Sequence, residues 1–187
     1  MQRRDLLRAL GGATALALLP LETVAAWTRV ASGPAVADGL SDAHLALVGA
    51  IADTIIPRTE TPGAMDVGVP AFVNVIVSEN YSESTRTAFV TGLDAIDARA
   101  KSEGGAAFAA LASSARSSVI ESIENSERVS DPGRTYWRLK GLVVHGYFTS
   151  EPVMKQVLKA EIMPGKFDGA APMPLTTRRA GEDHHHA

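Results

Sequence analysis

Apolar residues recur at three- and four-residue steps along most of this 187-residue chain, and no stretch alternates apolar with polar residues long enough to build a sheet. That spacing places the apolar side chains on one face of a helix. The pattern therefore predicts an all-α fold, a single compact domain of five to six helices with extended arms at both ends. A core of this size can fold without disulfides or metal.

Capping residues, prolines and paired glycines predict where the helices begin and end. Ser41 is a good N-cap for a helix that stops before Pro57, and a loop over residues 57–68 follows. Further starts are predicted at the following residues: Pro70, Ser82 or Ser84, a short turn around Phe108 and Leu111, Ser113 or Ser114, and Asp131 with Pro132 as cap and first-turn proline. The third helix should end at Gly104 and Gly105, the last long one near Tyr147, and a short amphipathic piece near Lys159.

The first 26 residues have the layout of an export signal. Arg3 and Arg4 open a short basic segment, an uncharged apolar run of about 11 residues follows, and Val24, Ala25 and Ala26 form a small-residue cleavage motif. The run is shorter than the roughly 20 residues that span a bilayer, so a permanent anchor is not expected. Cleavage after Ala26 or Ala25 would leave residues 27–40 as an extended linker.

The paired arginines, followed by two leucines and Arg8, are similar to the twin-arginine consensus. An ordinary secretory signal and an N-terminal helix of a cytoplasmic protein are the alternatives, and the weak hydrophobicity of the apolar run favours the twin-arginine route. That route carries folded cargo. The pattern therefore predicts a periplasmic protein that binds a cofactor in the cytoplasm, or that travels with a partner which does.

Composition excludes several classes of chemistry. The chain has no cysteine, which rules out disulfides, thiolate catalysis, iron–sulfur ligation and covalent haem attachment through this chain. Its net charge is −3 without a basic stripe, so it is not expected to bind nucleic acid. No dinucleotide fingerprint, phosphate loop or zinc-protease motif occurs. The sequence thus predicts no cofactor, no metal and no catalytic residue in this chain.

The histidines and paired carboxylates have simple structural interpretations. His44 is expected to be an exposed first-turn residue, and His145 to serve packing or an interface. Asp94 and Asp97, and likewise Glu121 and Glu124, look like solvated helix charges. Three histidines at 184–186 could bind a divalent metal, but a disordered polar terminus is the simpler interpretation.

Residues 141–148 are apolar on nearly all sides of the predicted helix and contain two glycines. Such a segment is either the central core helix or also meets a partner. Gly146 would permit a close backbone approach, while Tyr147 and Phe148 supply contact area. The long aperiodic segment after Pro164 is typical of an arm that becomes ordered on another protein.

Several motifs together resemble the gluconate 2-dehydrogenase subunit 3 family. They are Ala52-Asp53-Thr54-Ile55-Ile56-Pro57, Thr61-Pro62-Gly63-Ala64, Gly68-Val69-Pro70 with Phe72-Val73, Gly146-Tyr147-Phe148-Thr149-Ser150-Glu151, and Pro164-Gly165-Lys166-Phe167-Asp168-Gly169. The resemblance spans about residues 41–169 and includes the twin-arginine leader. It leaves residues 170–187 as a disordered or partner-bound tail.

The resemblance implies a non-catalytic small subunit of a periplasmic dehydrogenase complex. Its large partner would be an FAD-binding flavoprotein of the glucose-methanol-choline type that oxidises a sugar, sugar acid or glycoside, with haem c in a further cytochrome c subunit. The small subunit would escort the partner through the twin-arginine (Tat) translocase and assist its maturation. Membrane association, where it occurs, would be through the complex.

Contacts with the large subunit are expected in three segments. They comprise Pro57, Thr61, Pro62 and Gly63; Gly146, Tyr147, Phe148, Thr149, Ser150 and Glu151; and Pro164, Gly165 and Phe167. Two alternatives belong to other classes. One is an independent periplasmic helical binding protein or enzyme that uses His145 with Glu151, and the other is a metal-binding tail with its own role.

Overall fold

The computed structural model describes residues 21–32, 39–125 and 130–160, and this part of the chain is helical without a β-strand. Its α-helices are α1 (Leu21–Ser32), α2 (Asp42–Ile55), α3 (Val69–Asn80), α4 (Glu83–Gly104), α5 (Ser113–Glu124) and α6 (Asp131–Thr149). A 3-10 turn at Phe108–Ala110 joins α4 to α5, and a π-helical turn at Val153–Val157 follows α6. The all-α prediction is confirmed.

Most helix ends lie where the capping residues predict them. The Ser41 and Ser82 hydroxyls accept hydrogen bonds from backbone N–H groups of the first turns of α2 and α4, and Pro70 lies in the first turn of α3. Gly105, with φ of 78°, ends α4 in the left-handed conformation that glycine adopts without strain. Two starts differ by one residue: Ala112 precedes α5 and Ser130 precedes α6, because Ser113 and Asp131 are already helical.

The prediction of an extended linker over 27–40 is wrong for residues 27–32, which form the second half of α1. Thr23, Ala26, Trp27 and Val30 recur at helical spacing, and this face packs chiefly on α3. The pattern was hidden because it overlaps the small residues of the cleavage motif. Residues 33–38 of the expected linker lie outside the described residues, as does the leader up to position 20.

Helix α6 is at the centre of the fold and contacts α2, α3, α4 and α5, with α4 as its most extensive neighbour. The largest fully buried side chains come from α6 itself and from several elements around it, among them Phe72, Phe89, Phe108, Tyr136 and Leu139. Burying one such side chain stabilises a fold by about 1.5–3 kcal/mol. The core therefore holds α6 in a fixed orientation, which also fixes the direction of its outward side.

Two buried glycines allow helices to approach α6 closely. A Cβ on Gly92 of α4 would lie 1.8 Å from Thr135 Oγ1, and a Cβ on Gly146 of α6 would lie 2.7 Å from a ring carbon of Phe72. Both distances are far below van der Waals contact. The close approach predicted for Gly146 is present, and the group that approaches it belongs to α3 of the same chain.

Candidate functional site

Helix α6 carries two apolar stripes on different sides. Tyr136, Leu139, Val143 and Tyr147 face the core and are buried. A second stripe, spaced at i, i+4, i+7 and i+11, consists of Trp137, Gly141, Val144 and Phe148. It points outward, with Val144 38% and Phe148 45% exposed. The helix is therefore central, as the first alternative for residues 141–148 has it, and it also presents an apolar surface. Contact with a partner stays a prediction.

The outward stripe lines a shallow groove of about 500 Å³, which Lys140, His145 and Thr149 complete, and which we call the α6 groove. Gly141 lies at the bottom of the groove and has no side chain to fill it, and a Cβ added there would meet nothing within 4 Å. Exposed apolar side chains that line one continuous concavity are typical of protein contact sites, whereas scattered ones are ordinary. Aromatic residues at such a surface supply large contact areas.

A charged pair closes one edge of the α6 groove. Glu124 Oε1 accepts hydrogen bonds from Lys140 Nζ at 2.5 Å and from the Tyr136 hydroxyl at 2.6 Å. The Lys140 bond, followed by the Tyr136 bond, holds the pKa of Glu124 below its usual range, and burial with the Glu124 contact raises the pKa of Tyr136. Lys140 also lies 4.9 Å from the Trp137 ring centroid. Because its charge is paired, the groove is almost neutral.

Helix α1 borders the other end of the groove and runs in the same direction as α6. Thr23 Oγ1 and His145 Nε2 share a hydrogen bond of 2.6 Å, and Trp27 Nε1 donates to Thr149 Oγ1 at 3.1 Å. The Trp27 ring stacks on Phe72, with centroids 5.1 Å apart. The expected packing or interface role of His145 is thus partly explained, since its ring holds α1 in place.

The predicted loop over 57–68 is a compact structure tied to α6. The Tyr147 hydroxyl donates to the Pro62 carbonyl at 2.8 Å. Asp66 Oδ2 accepts from Gly63 N and Arg58 Nε, each at 2.8 Å. A Cβ on Gly63 would lie 2.7 Å from Arg58 N, so the turn requires glycine. Two of the three segments predicted to contact a partner therefore adjoin each other.

The residues in these segments differ in exposure. Pro57, Phe148 and Glu151 are exposed, Thr61, Pro62 and Thr149 are half-buried, and Gly63, Gly146, Tyr147 and Ser150 are buried. A buried residue supports a surface and does not form it, so the last four would act on a partner indirectly. Pro164, Gly165 and Phe167, the leader's Arg3 and Arg4, and the histidines at 184–186 lie outside the described residues.

Sequence reasoning missed Trp137 and Lys140, which extend the groove by about one turn before the predicted segment 141–148. The signal was present, because Trp137 begins the i, i+4, i+7, i+11 stripe. It was overlooked because Tyr136 and Leu139, one and two positions away, belong to the core stripe. Which residues of α6 face the core and which face outward can be determined only when the helices that pack against α6 are known.

His44 has more partners than its sequence context indicates. Its Nδ1 lies 2.8 Å from Ser41 Oγ and its Nε2 2.9 Å from Asp94 Oδ1. These are the residue types of a hydrolase triad, but Ser41 is the N-cap of α2, and the Asp94 side chain is 68% exposed. A triad acts where water is excluded, so this chain of hydrogen bonds is a surface capping network that joins α2 to α4.

Two of the expected solvated carboxylates have structural partners instead. Asp97 Oδ1 accepts from Phe108 N at 2.8 Å, which anchors the 3-10 turn, and Glu124 belongs to the pair described above. Burial acts to raise the pKa of Asp97, but bonds from Lys101 and the Phe108 amide outweigh it and lower that pKa. The prediction of simple solvation is wrong for these two residues.

The alternative that joins His145 with Glu151 in an enzyme site gains no support from the geometry. His145 bonds to Thr23, whereas Glu151 forms an ion pair with Lys155 one turn further on. Over residues 21–32, 39–125 and 130–160, no group of three or more His, Cys, Asp or Glu residues could hold a metal ion. Within the same ranges, no helix is both long and apolar enough to cross a bilayer.

The described part of the molecule is thus a small helical domain that presents an apolar groove beside a tightly tied loop. The family description "Gluconate 2-dehydrogenase subunit 3" matches residues 42–165, about two thirds of the chain. The chain belongs to the gluconate 2-dehydrogenase subunit 3 family. Neither curated proteins nor solved structures give a match.

Proposed function

We propose that this chain is the non-catalytic small subunit of a periplasmic dehydrogenase complex, and that it escorts and stabilises the large subunit. The large subunit would be an FAD-dependent flavoprotein of the glucose-methanol-choline type that oxidises a sugar, sugar acid or glycoside. In complexes that contain a cytochrome c subunit, that subunit would receive the electrons. Membership of a dehydrogenase subunit family is the basis of this assignment.

The α6 groove is the observation that best supports an assembly role. Val144 and Phe148 are exposed beside Trp137, and their apolar surface does not stabilise a monomer while it stays in water. Burying that surface would contribute about 25 cal/mol of free energy per Å². A partner that covers the groove recovers that free energy. The pairing of Lys140 with Glu124 favours a partner surface that is apolar and uncharged opposite the groove.

The division of labour between two subunits follows from the composition. With no cysteine in the chain, this subunit supplies no thiolate for an iron–sulfur or haem centre, so redox chemistry would belong to its partner. The twin arginines at positions 3 and 4 would then serve a passenger that must take up FAD before export. One leader would carry both proteins across the membrane in a folded state.

Co-expression with a candidate flavoprotein of the glucose-methanol-choline type tests the proposal. Dehydrogenase activity should appear in the periplasmic fraction with the wild-type chain, and should remain in the cytoplasm with Arg3→Lys/Arg4→Lys. Deletion of the chain should lower both export and soluble yield of the flavoprotein. A variant with Arg29→Lys, outside the leader's arginine pair, is the matched control and should leave export unchanged.

Two results would overturn the assignment. The first is a flavoprotein that reaches the periplasm with full activity when this chain is absent or carries the two lysines. The second is failure of any flavin oxidoreductase to co-purify with the chain. Turnover by the isolated chain that is lost in His145→Ala would instead establish the enzyme alternative.

A further inference from the structure

The small-residue motif that marks the end of the leader lies inside a packed helix. Ala25 and Ala26, after which a leader protease would cut, are in the middle of α1. Ala26 is 1% exposed and belongs to the hydrophobic core, and Thr23 beside it is a buried polar residue, 3% exposed. The bond that the motif marks for cleavage is therefore helical and lies against the domain.

Contacts on both sides of this bond hold α1 in place. On the leader side, Thr23 is bonded to His145 of α6. On the other side, Trp27 stacks on Phe72 of α3 and donates to Thr149 of α6. The two hydrogen bonds to α6 are four residues apart on α1 and four residues apart on α6. They therefore attach α1 to α6 at two successive turns.

Proteases bind the residues around the scissile bond in an extended conformation, as an added strand. A helical bond can be cut only when the helix unfolds or leaves the domain, so the rate follows the population of that open state. A cut after Ala26 would also leave six helical residues, Trp27 to Ser32. That is too short for a helix to persist by itself.

We infer that the folded chain protects the bonds after Ala25 and Ala26, and that α1 stays part of the subunit after export. The part that concerns export rests on the proposed function, and the part that concerns protection does not. Any processing of the folded protein must then occur before Leu21. The consequence is that Thr23 remains in the mature subunit together with Trp27, so both hydrogen bonds between α1 and α6 are kept next to the α6 groove.

Limited proteolysis of the purified full chain tests protection without reference to export. Pancreatic elastase cuts after small residues such as alanine, and intact-mass spectrometry identifies the cut. Thr23→Arg places a charge at a buried position outside the motif and should release α1, while Ala31→Arg adds the same charge at an exposed position. We expect cleavage after Ala25 or Ala26 to be at least about tenfold faster in Thr23→Arg than in the wild type and in Ala31→Arg.

A second variant covers the case in which Thr23→Arg does not fold, which circular dichroism would reveal. His145→Ala/Thr149→Ala removes both hydrogen bonds to α1 from the α6 side, and should raise the cleavage rate severalfold. Wild-type cleavage after Ala25 or Ala26 that is as fast as in these variants, with the remaining domain folded, would overturn the inference.

The mass of the protein recovered from the periplasm tests retention. A species that includes Leu21–Ser32 is expected, and one that starts at Ala26 or Trp27 would refute retention. If the chain fails to reach the periplasm at all, the proposed escort function fails while the elastase result still decides whether the bond is protected.

Discussion

Gly92 and Gly141 lie inside long helices in opposite surroundings, which makes them a matched pair at the scale of single residues. A Cβ at position 92 would overlap both Oγ1 and Cβ of Thr135, whereas one at position 141 would meet nothing within 4 Å. We expect Gly92→Ala to lower the free energy of unfolding by at least about 1–3 kcal/mol, because the added methyl group forces α4 to move away from α6. Urea denaturation measures the effect.

Gly141→Ala should raise the free energy of unfolding by about 0.5–1 kcal/mol, since alanine is the better helix former at an exposed position. Equal effects of the two alanines would contradict the close approach of α4 and α6. A loss of partner binding in Gly141→Ala, without a loss of stability, would place the partner on the floor of the groove.

Glu124 gives a prediction about pH. Its pKa in the folded protein is lowered, chiefly by the Lys140 hydrogen bond and then by that of Tyr136, from an unfolded value of about 4.3. A lowered folded-state pKa means that the stabilisation is complete above the unfolded value and is lost as the pH falls through the folded-state value. Glu124→Gln should lower the free energy of unfolding by about 1 kcal/mol at pH 7. The loss is smaller than for a fully buried charged hydrogen bond, because the Glu124–Lys140 pair is partly exposed.

The difference between wild type and Glu124→Gln should shrink as the pH falls below about 4.3. Urea midpoints measured between pH 3 and 7 would show this. Glu121→Gln, an exposed carboxylate one turn earlier on α5, is the control and should change stability little at any pH. A constant difference between wild type and Glu124→Gln across the range would contradict the ion pair.

At the scale of elements, α1 should contribute measurably to stability. Trp27→Ala removes the ring stacked on Phe72 and leaves Thr149 Oγ1 without its indole donor. We expect a loss of about 2–4 kcal/mol in the free energy of unfolding, as for a truncated and partly buried aromatic. Arg29→Ala, on the same helix, removes only an exposed contact of 3.7 Å with Glu79 and should cost less than about 0.5 kcal/mol. Thermal or urea unfolding distinguishes a docked α1 from a loose one.

The ends of α2, α3 and α4 could be predicted because their signals are local. A serine hydroxyl bonds within its own turn, and a proline acts on its immediate neighbour, so tertiary context alters neither. Helix α1 could not be predicted in the same way. The apolar residues of its packed face, Ala26, Trp27 and Val30, stabilise a helix mainly through α3, and the sequence does not state which surface will meet them.

The candidate site could be predicted to a similar extent. Residues 141–148 were identifiable as a candidate partner surface because they are apolar on more sides than a core requires. Which of them face outward is set by the close approaches at Gly92 and Gly146, which fix the rotation of α6. That is why Tyr147, which the sequence placed at the interface, is buried with its hydroxyl on Pro62, and why Trp137 joins the exposed stripe instead.

At the scale of the whole molecule, the apolar surface and the stability of the domain should be separable. Val144→Ser/Phe148→Ser removes two exposed side chains and should leave the free energy of unfolding within about 1 kcal/mol of the wild type. Affinity for the flavoprotein should fall at least about tenfold, because contact residues in the centre of an interface dominate its binding energy. Co-purification yield and calorimetric titration measure the loss.

The matched control for this surface is Met65→Ser, an exposed apolar residue of the loop over 57–68 with no position in the α6 groove. It should bind the flavoprotein as the wild type does if the partner covers the groove alone. Unchanged affinity in Val144→Ser/Phe148→Ser would exclude the groove as the contact site and leave the loop and the arms as candidates.

The two stripes of α6 have a consequence for how this protein can evolve. Inward residues such as Val143 and Tyr147 alternate along the helix with outward residues such as Val144 and Phe148. A substitution that alters which partner binds therefore lies next to a residue that sets the orientation of α6. Conversely, substitutions that repack the core also rotate the outward surface of α6. Related chains that have acquired new partners should show paired changes on α6, while the exposed faces of α4 and α5 drift freely.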